Sequence, residues 1–335
     1  MTSPTTAGRK IVEYNGTYRL VRKIAEGGMA TVYEAQALGP AGFSKRIALK
    51  VIHPGYAKVD EWLQLFLDEA RLSANLAHGN IVQIFHLGEV EGDYFIAMEF
   101  IQGPTLRSVI ERHRELGEGM PPTLAAYIVS RVCRALDYAH NFVGPDGRRL
   151  DIVHRDVSPG NVMATWDGHI KLADFGIAKA NTSIDPAASR PMLIGKKHYM
   201  SPEQMLGLSV DSRSDIFALG VVLFELLTLE PLFREDVTEL AIDEVAVHPI
   251  PSIRAHVPDI DPELEQILGL ALEKDPDRRP TAAAMGRALD RWCSAQRNVG
   301  TPDLRVDLGR HVVVGDDDVR RLPRDLRPAA AHRDA

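Results

Sequence analysis

Asp156 and Asn161 stand five residues apart in the run His154, Arg155, Asp156, Val157, Ser158, Pro159, Gly160, Asn161, and Asp174 follows Asp156 by eighteen positions. Residues five apart cannot share one face of a regular helix, but on a rigid loop they can converge. The carboxylate then faces an attacking hydroxyl while the amide faces a metal ion, an arrangement that suits phosphoryl transfer. A lone His, Arg, Asp triplet also occurs as a solvated turn, so its companions matter. Lys50 lies nineteen residues before Glu69, and Ser201, Pro202, Glu203, then Asp215, then Arg279 follow Asp174 in order.

The elements that must carry these residues can be read from periodicity. Tyr18–Ala25 and Thr31–Ala37 read as strands flanking Glu26, Gly27, Gly28, Met29, Ala30, a hairpin with a glycine-rich tip. Arg46–Ile52 is a β-branched apolar run that reads as a third strand carrying Lys50. Over Glu61–Leu76, Leu63, Phe66, Leu67, Ala70 and Ala74 recur at helical spacing, with Glu69 on the flank of that stripe. Ile81–Val90 and Tyr94–Phe100, joined by Glu91, Gly92, Asp93, read as a further hairpin. Beyond it the pattern turns helical over Thr105–Leu116 and Pro122–Asn141, where Ile128, Val132, Ala135, Leu136 and Ala139 share a face. Asn141–Leu150 is a long turn to which no function attaches. Short strands at Val162–Ala164 and Ile170–Leu172 deliver Asp174, and Asp215–Leu227 reads as a buried helix.

Composition narrows the class. With 335 residues, 45% apolar and 25% charged, the chain is an ordinary globular one, long enough for two lobes. A net charge of −7 argues against bulk nucleic-acid or anionic-membrane binding. Cys133 and Cys293 show no ligand spacing and read as buried apolar residues in a reducing compartment. The polar, Thr-rich Met1–Val12 lacks the core of a signal peptide, and Ile216–Leu227, which carries Glu225, is too short to cross a bilayer. The expectation is a cytoplasmic protein with neither nucleic-acid nor membrane partners.

Taken together, the five features in register resemble the bacterial Hanks-type (eukaryotic-like) serine/threonine protein kinase family over Tyr18–Arg297. The resemblance implies an α+β, bilobal fold, with a five-stranded antiparallel sheet plus one helix in the small lobe and a larger, mostly helical lobe. It divides the chain into a disordered N-terminus (1–16), an N-lobe (17–101), a C-lobe (102–297) and a flexible tail (298–335). It implies ATP and Mg²⁺ as cofactors and protein Ser/Thr hydroxyls as acceptors, with autophosphorylation through a dimer left open. Asp156 is then the acceptor of the substrate proton, and Asn161 and Asp174 are the metal ligands. Lys50, held by Glu69, contacts the α and β phosphates. Ala25, Glu26, Gly27, Gly28 and Val32 line the phosphate loop, and Ala48, Glu99 and Ile101 the nucleotide, with Met98 before the hinge. Thr182, Ser183 and Ser189 are phosphorylation candidates that Arg155 would pair with, Asp215 braces the catalytic loop, and Arg279 pairs with Glu203.

The sequence departs from the family pattern in three places. Ala25 and Ala30 stand where the loop usually has glycine. Ser158 stands two residues after Asp156, where a lysine usually neutralises the γ-phosphate, and Lys196 stands where threonine is common. A swap in which Lys196 supplies the missing ammonium weighs about equally with a solvent-facing Lys196. Ser158 and Ala25 also keep alive a pseudokinase, a nucleotide-binding scaffold of the same fold. A small-molecule kinase fits less well, because such enzymes generally lack the Ser201, Pro202, Glu203 element.

Overall fold

A computed structural model describes residues 10–13, 16–90, 92–175, 197–233, 242–296 and 300–311. These fall into two compact units, one built on the residues up to Ile101 with Phe175, the other on Gln102–Asp174 and the described residues from Lys197 onward.

The first unit is one antiparallel sheet with helical cover. Its strands are β1 (Lys10–Glu13), β2 (Gly16–Glu26), β3 (Ala30–Leu38), β4 (Ser44–Ile52), β5 (Ile84–Val90) and β6 (Asp93–Glu99), in the order β1-β2-β3-β4-β6-β5. The five expected strands are there, and β1 adds a sixth at the edge. It pairs with β2 from Lys10 opposite Arg19 to Glu13 opposite Gly16, so Lys10–Glu13 and Gly16, within the segment expected to be disordered, are strand. The sequence there, Lys-Ile-Val-Glu, has the β-branched alternation that a short edge strand needs. One helical turn, α1 (Pro54–Ala57), precedes the expected helix, α2 (Asp60–Ala74).

Strand periodicity explains how the unit is layered. Ile47, Leu49, Phe95 and Ala97 pack with Leu20 and Ala35 on one side of the sheet. On the other, Ile52 and Ile96 pack with Phe66 and Ala70 of α2. Lys50 is two residues before Ile52 and therefore emerges on the face that α2 covers.

The second unit is mainly helical. It comprises α3 (Leu106–Leu116), α4 (Pro122–His140), the hairpin β7 (Val162–Ala164) and β8 (Ile170–Leu172), α5 (Pro202–Met205), α6 (Ser212–Thr228), α7 (Ile242–Val247), α8 (Pro262–Ala271), α9 (Ala282–Gln296) and α10 (Thr301–His311). The Thr105 hydroxyl caps α3, and Gly117 at φ 68° ends it. In α6 every residue from Ser214 to Leu227 is buried, including Asp215 and Glu225. Residues 141–150, read as a bare turn, form a tight hairpin in which Val143 bridges Arg149. Both cysteines are free and buried, and burial raises their thiol pKa values, so they behave as apolar filling.

Residues 301–311, assigned in sequence to a flexible tail, are the helix α10 instead. Leu304 and Leu308, one turn apart, are fully buried, and Asp307 reaches His113 of α3 at 3.2 Å. Mixed charge hid this short apolar stripe in the sequence. No helix among the described residues is long and apolar enough to cross a membrane.

Candidate active site

In the first unit the Lys50 ammonium donates to Glu69 Oε1 at 2.6 Å, with only 14% and 12% of the two side chains exposed. Glu69 belongs to the buried stripe of α2 with Phe66, Ala70 and Ser73, rather than to its flank. The same periodicity that buries Phe66 and Ala70 thus carries Glu69 to the sheet face where Lys50 emerges. Two charges this far out of water offset part of each other's desolvation.

The glycine-rich tip closes where β2 and β3 meet. Ala25 lies opposite Val32 and Glu26 opposite Thr31, and the Gly27 amide donates to the Ala30 carbonyl at 2.9 Å. Gly28 sits at the bend beyond it. Glu26 is exposed and bonds to Lys23. Val32 is the cross-strand neighbour of Lys50, and Ala48, buried, faces Met98 across β6. Glu99 ties its strand to Gln83 twice, its amide donating at 2.8 Å and its carboxylate accepting at 3.3 Å, and the buried Ile101 ends the unit.

In the second unit one buried carboxylate organises the catalytic run. Asp215 accepts from the amides of His154 (2.8 Å) and Arg155 (2.7 Å) and from His140 Nε2 (2.8 Å). His154, fully buried, donates from Nε2 to the Ala173 carbonyl at 3.0 Å and accepts the Asp156 amide on Nδ1 at 3.2 Å. Burial pushes its imidazole below the ordinary range, so it stays neutral and keeps that tautomer. Asn161 donates through Nδ2 to the Asp156 carbonyl (2.8 Å) and to Asp156 Oδ2 (3.1 Å), and its own carbonyl accepts from Ala173, next to Asp174. Asp156, Asn161 and the backbone before Asp174 are therefore brought together. Arg155 and Asp174 have φ of 63° and 53°, a left-handed backbone that costs non-glycine residues roughly 1–2 kcal/mol each. Such strain survives only where the surrounding bonds over-determine the backbone, as Asp215 does here.

Downstream, Ser201 caps α5 in a capping box with Gln204, whose side-chain amide also donates to the Arg155 carbonyl at 3.1 Å. Glu203 and Arg279 form the expected pair at 2.6 and 2.8 Å, both buried, with Ser214 donating to the same carboxylate. Burial alone would raise the Glu203 pKa, but Arg279 and Ser214 hold it below the usual carboxylate range. Sequence reading missed His140, Gln204 and the network of Arg107, Tyr199 and Glu225, whose members are too far apart in sequence to leave a local pattern. Lys196, Thr182, Ser183 and Ser189 lie outside the described residues.

Comparison with known proteins agrees with this geometry. A protein kinase domain model matches residues 18–288. Over 283 residues the chain is 41% identical to "Tyrosine-protein kinase MasK" of Myxococcus xanthus, covering 83% of this chain and 43% of that protein. It is 36% identical to "Serine/threonine-protein kinase PrkC" of Bacillus subtilis, covering 79% and 38% respectively. The chain thus spans well under half the length of either relative. The PknI kinase domain of Mycobacterium tuberculosis superposes with a TM-score of 0.62 at 28% identity, covering 87% of this chain and 99% of that one. A family model spanning most of the sequence and relatives above 30% identity leave one conclusion: this chain belongs to the protein kinase family, in its bacterial Hanks-type branch.

Proposed function

We propose that the chain is an ATP-dependent protein serine/threonine kinase. The observation that carries this reading is the buried Lys50–Glu69 ion pair at 2.6 Å, which a scaffold of the same fold would have no need to keep. Its relatives in the bacterial branch include kinases named for serine/threonine and one named for tyrosine, so the acceptor class rests on the Ser201, Pro202, Glu203 element and on assay.

The residues fit a magnesium ion. Asn161 commits its nitrogen to Asp156, which leaves the amide oxygen to act as a ligand, and Asp174 offers a second hard oxygen. One amide oxygen and one carboxylate, completed by phosphate oxygens, is the donor set Mg²⁺ prefers. Bound there, Mg²⁺ supplies positive charge to the phosphate oxygens. Asp156 takes the proton of the acceptor hydroxyl on its carboxylate, while Asn161, bonded to Oδ2, fixes that carboxylate's rotamer. As the hydroxyl oxygen bonds to the γ-phosphorus, the bond from that phosphorus to the β-bridging oxygen breaks and the charge leaves with the diphosphate. Lys50 orients the α and β phosphates, and Glu69 keeps the ammonium aimed. Lys196 supplies the ammonium that Ser158 cannot. Arg155 Nε is buried with no partner among the described residues, and a phosphate on Thr182, Ser183 or Ser189 gives it one after autophosphorylation.

The test is purified chain with Mg-ATP and a generic protein acceptor, read by phosphoamino-acid analysis. Phosphoserine or phosphothreonine should form and fall by at least about 100-fold in Asp174→Ala. No transfer, with nucleotide still bound, would leave the scaffold reading.

A further inference from the structure

Three elements of the second unit meet beside the catalytic run. From the first turn of α3, Arg107 sends Nη2 to the Tyr199 hydroxyl at 3.3 Å, and that hydroxyl donates in turn to Glu225 of α6. Glu225 is buried, at 6% exposure, and so is Tyr199, whereas Arg107 is exposed. The Arg107 amide donates to the carbonyl of Pro159 at 3.1 Å, three residues after Asp156. A side chain on Gly160 would begin 4.0 Å from both Arg107 Nε and Ser158 Oγ. The guanidinium therefore stands over the end of the loop that carries Asp156 and Asn161.

This placement decides what charge an incoming chain meets. A buried carboxylate next to the loop would, if open, attract a Lys or Arg of the acceptor. Here Tyr199 and Arg107 already answer it from within, and burial together with Glu225 keeps the Tyr199 hydroxyl protonated by raising its pKa. Glu111, one turn along α3, is the other acid near Arg107, and it is exposed and screened. What remains on the outside is the planar cation of an exposed residue, the shape that takes a carboxylate two bonds at a time.

We infer that Arg107 is a specificity-determining residue: it fills the acidic recess of Tyr199 and Glu225 and selects acceptor segments that carry Asp or Glu beside the phosphorylated hydroxyl. The inference rests on the protein-kinase reading and names its substrate class. An acceptor whose hydroxyl reaches Asp156 must pass its neighbouring residues over Pro159 and Gly160, and so past Arg107.

The experiment compares two synthetic peptides, identical around one serine except that it is flanked by glutamates in one and arginines in the other. Phosphorylation is measured as separate kcat and KM, and binding by fluorescence anisotropy, for the wild-type chain, Arg107→Lys and Arg107→Gln. Gln keeps a donor for Tyr199 while removing the charge, so the fold is preserved, as a melting curve checks. The wild type should favour the acidic peptide by about tenfold, the size of one charged hydrogen bond, mainly through KM. Arg107→Lys should keep most of that preference. Arg107→Gln should weaken the acidic peptide and strengthen the basic one together, which a structural role would not do. An acidic-to-basic ratio unchanged in Arg107→Gln overturns the inference while leaving the kinase intact. If neither peptide is phosphorylated, the kinase reading falls, and an Arg107-dependent preference in anisotropy, or its absence, still decides the assignment.

Discussion

Asp215 does more for the catalytic loop than any residue that would touch a substrate. Its two oxygens take the amides of His154 and Arg155 and the ring of His140, so they hold two consecutive peptide groups in a turn that Arg155 enters at φ 63°. Asp215→Ala strands three buried donors, and the expected loss is about 3 kcal/mol or more in urea unfolding, with kcat falling alongside. The Glu203–Arg279 pair makes a different prediction. Glu203 has a folded pKa below its unfolded one, so its stabilisation is present above the ordinary glutamate value near ~4.3 and fades as pH falls through the folded pKa. Glu203→Gln should flatten that acid limb of the stability curve, while leaving the neutral limb parallel to wild type. Lys196 supplies a third residue-level test: Lys196→Met should slow transfer by about 100-fold if its ammonium replaces the one absent at Ser158. The Lys50–Glu69 and Asp156–Asn161 contacts were legible because their members sit in short motifs at fixed spacing. Arg107, Tyr199 and Glu225 were not, since Arg107 and Tyr199 are 92 residues apart and only the folded chain makes them neighbours.

Among the elements, α3 joins the catalytic loop to α10. Its first turn touches the catalytic loop through Arg107, and His113, nearer its C-terminal end, receives α10 through Asp307. Burial lowers the His113 pKa, but Asp307 and the carbonyl of Glu118, 3.1 Å from Nδ1, outweigh it and leave the group raised. A raised folded pKa contributes stability that is full below the unfolded value near ~6.5 and is lost as pH rises through the folded pKa. Amide exchange in residues 303–308 should therefore quicken at alkaline pH in the wild type and be fast at every pH in Asp307→Asn. Just before α3, Gly103 passes so close to β7 that a Cβ would fall 1.9 Å from the Ala164 carbonyl. Backbone cannot yield as a side chain tip does, so Gly103→Ala should cost at least about 3 kcal/mol. Strands and long helices were readable because their apolar periods are regular. The helix α10 was not, because its buried partner for Asp307 lies 194 residues away and its apolar stripe is one turn long.

At the scale of the molecule, the proposed chemistry is divided. Lys50 and Glu69, bonded to each other, belong to the first unit, and Asp156 and Asn161, likewise bonded to each other, belong with Asp174 to the second. In the proposed reaction, transfer draws on both sets. Lys50→Met removes one partner of an ion pair only 14% and 12% exposed, and Asp174→Ala removes a carboxylate on a left-handed backbone, so in a domain of this size each should change the melting temperature by several degrees without unfolding the chain. Nucleotide linkage separates binding from folding: Mg-ATP at about 100 times its dissociation constant adds about 2.7 kcal/mol to the native state, a rise of several degrees in melting temperature. The wild type should show that rise and phosphorylate protein. Lys50→Met and Asp174→Ala should each lose most of the rise and nearly all of the transfer. Should both variants keep the full rise in melting temperature while transfer persists, the residues chosen here are not the ones that handle the nucleotide, and the assignment of chemistry to both units fails.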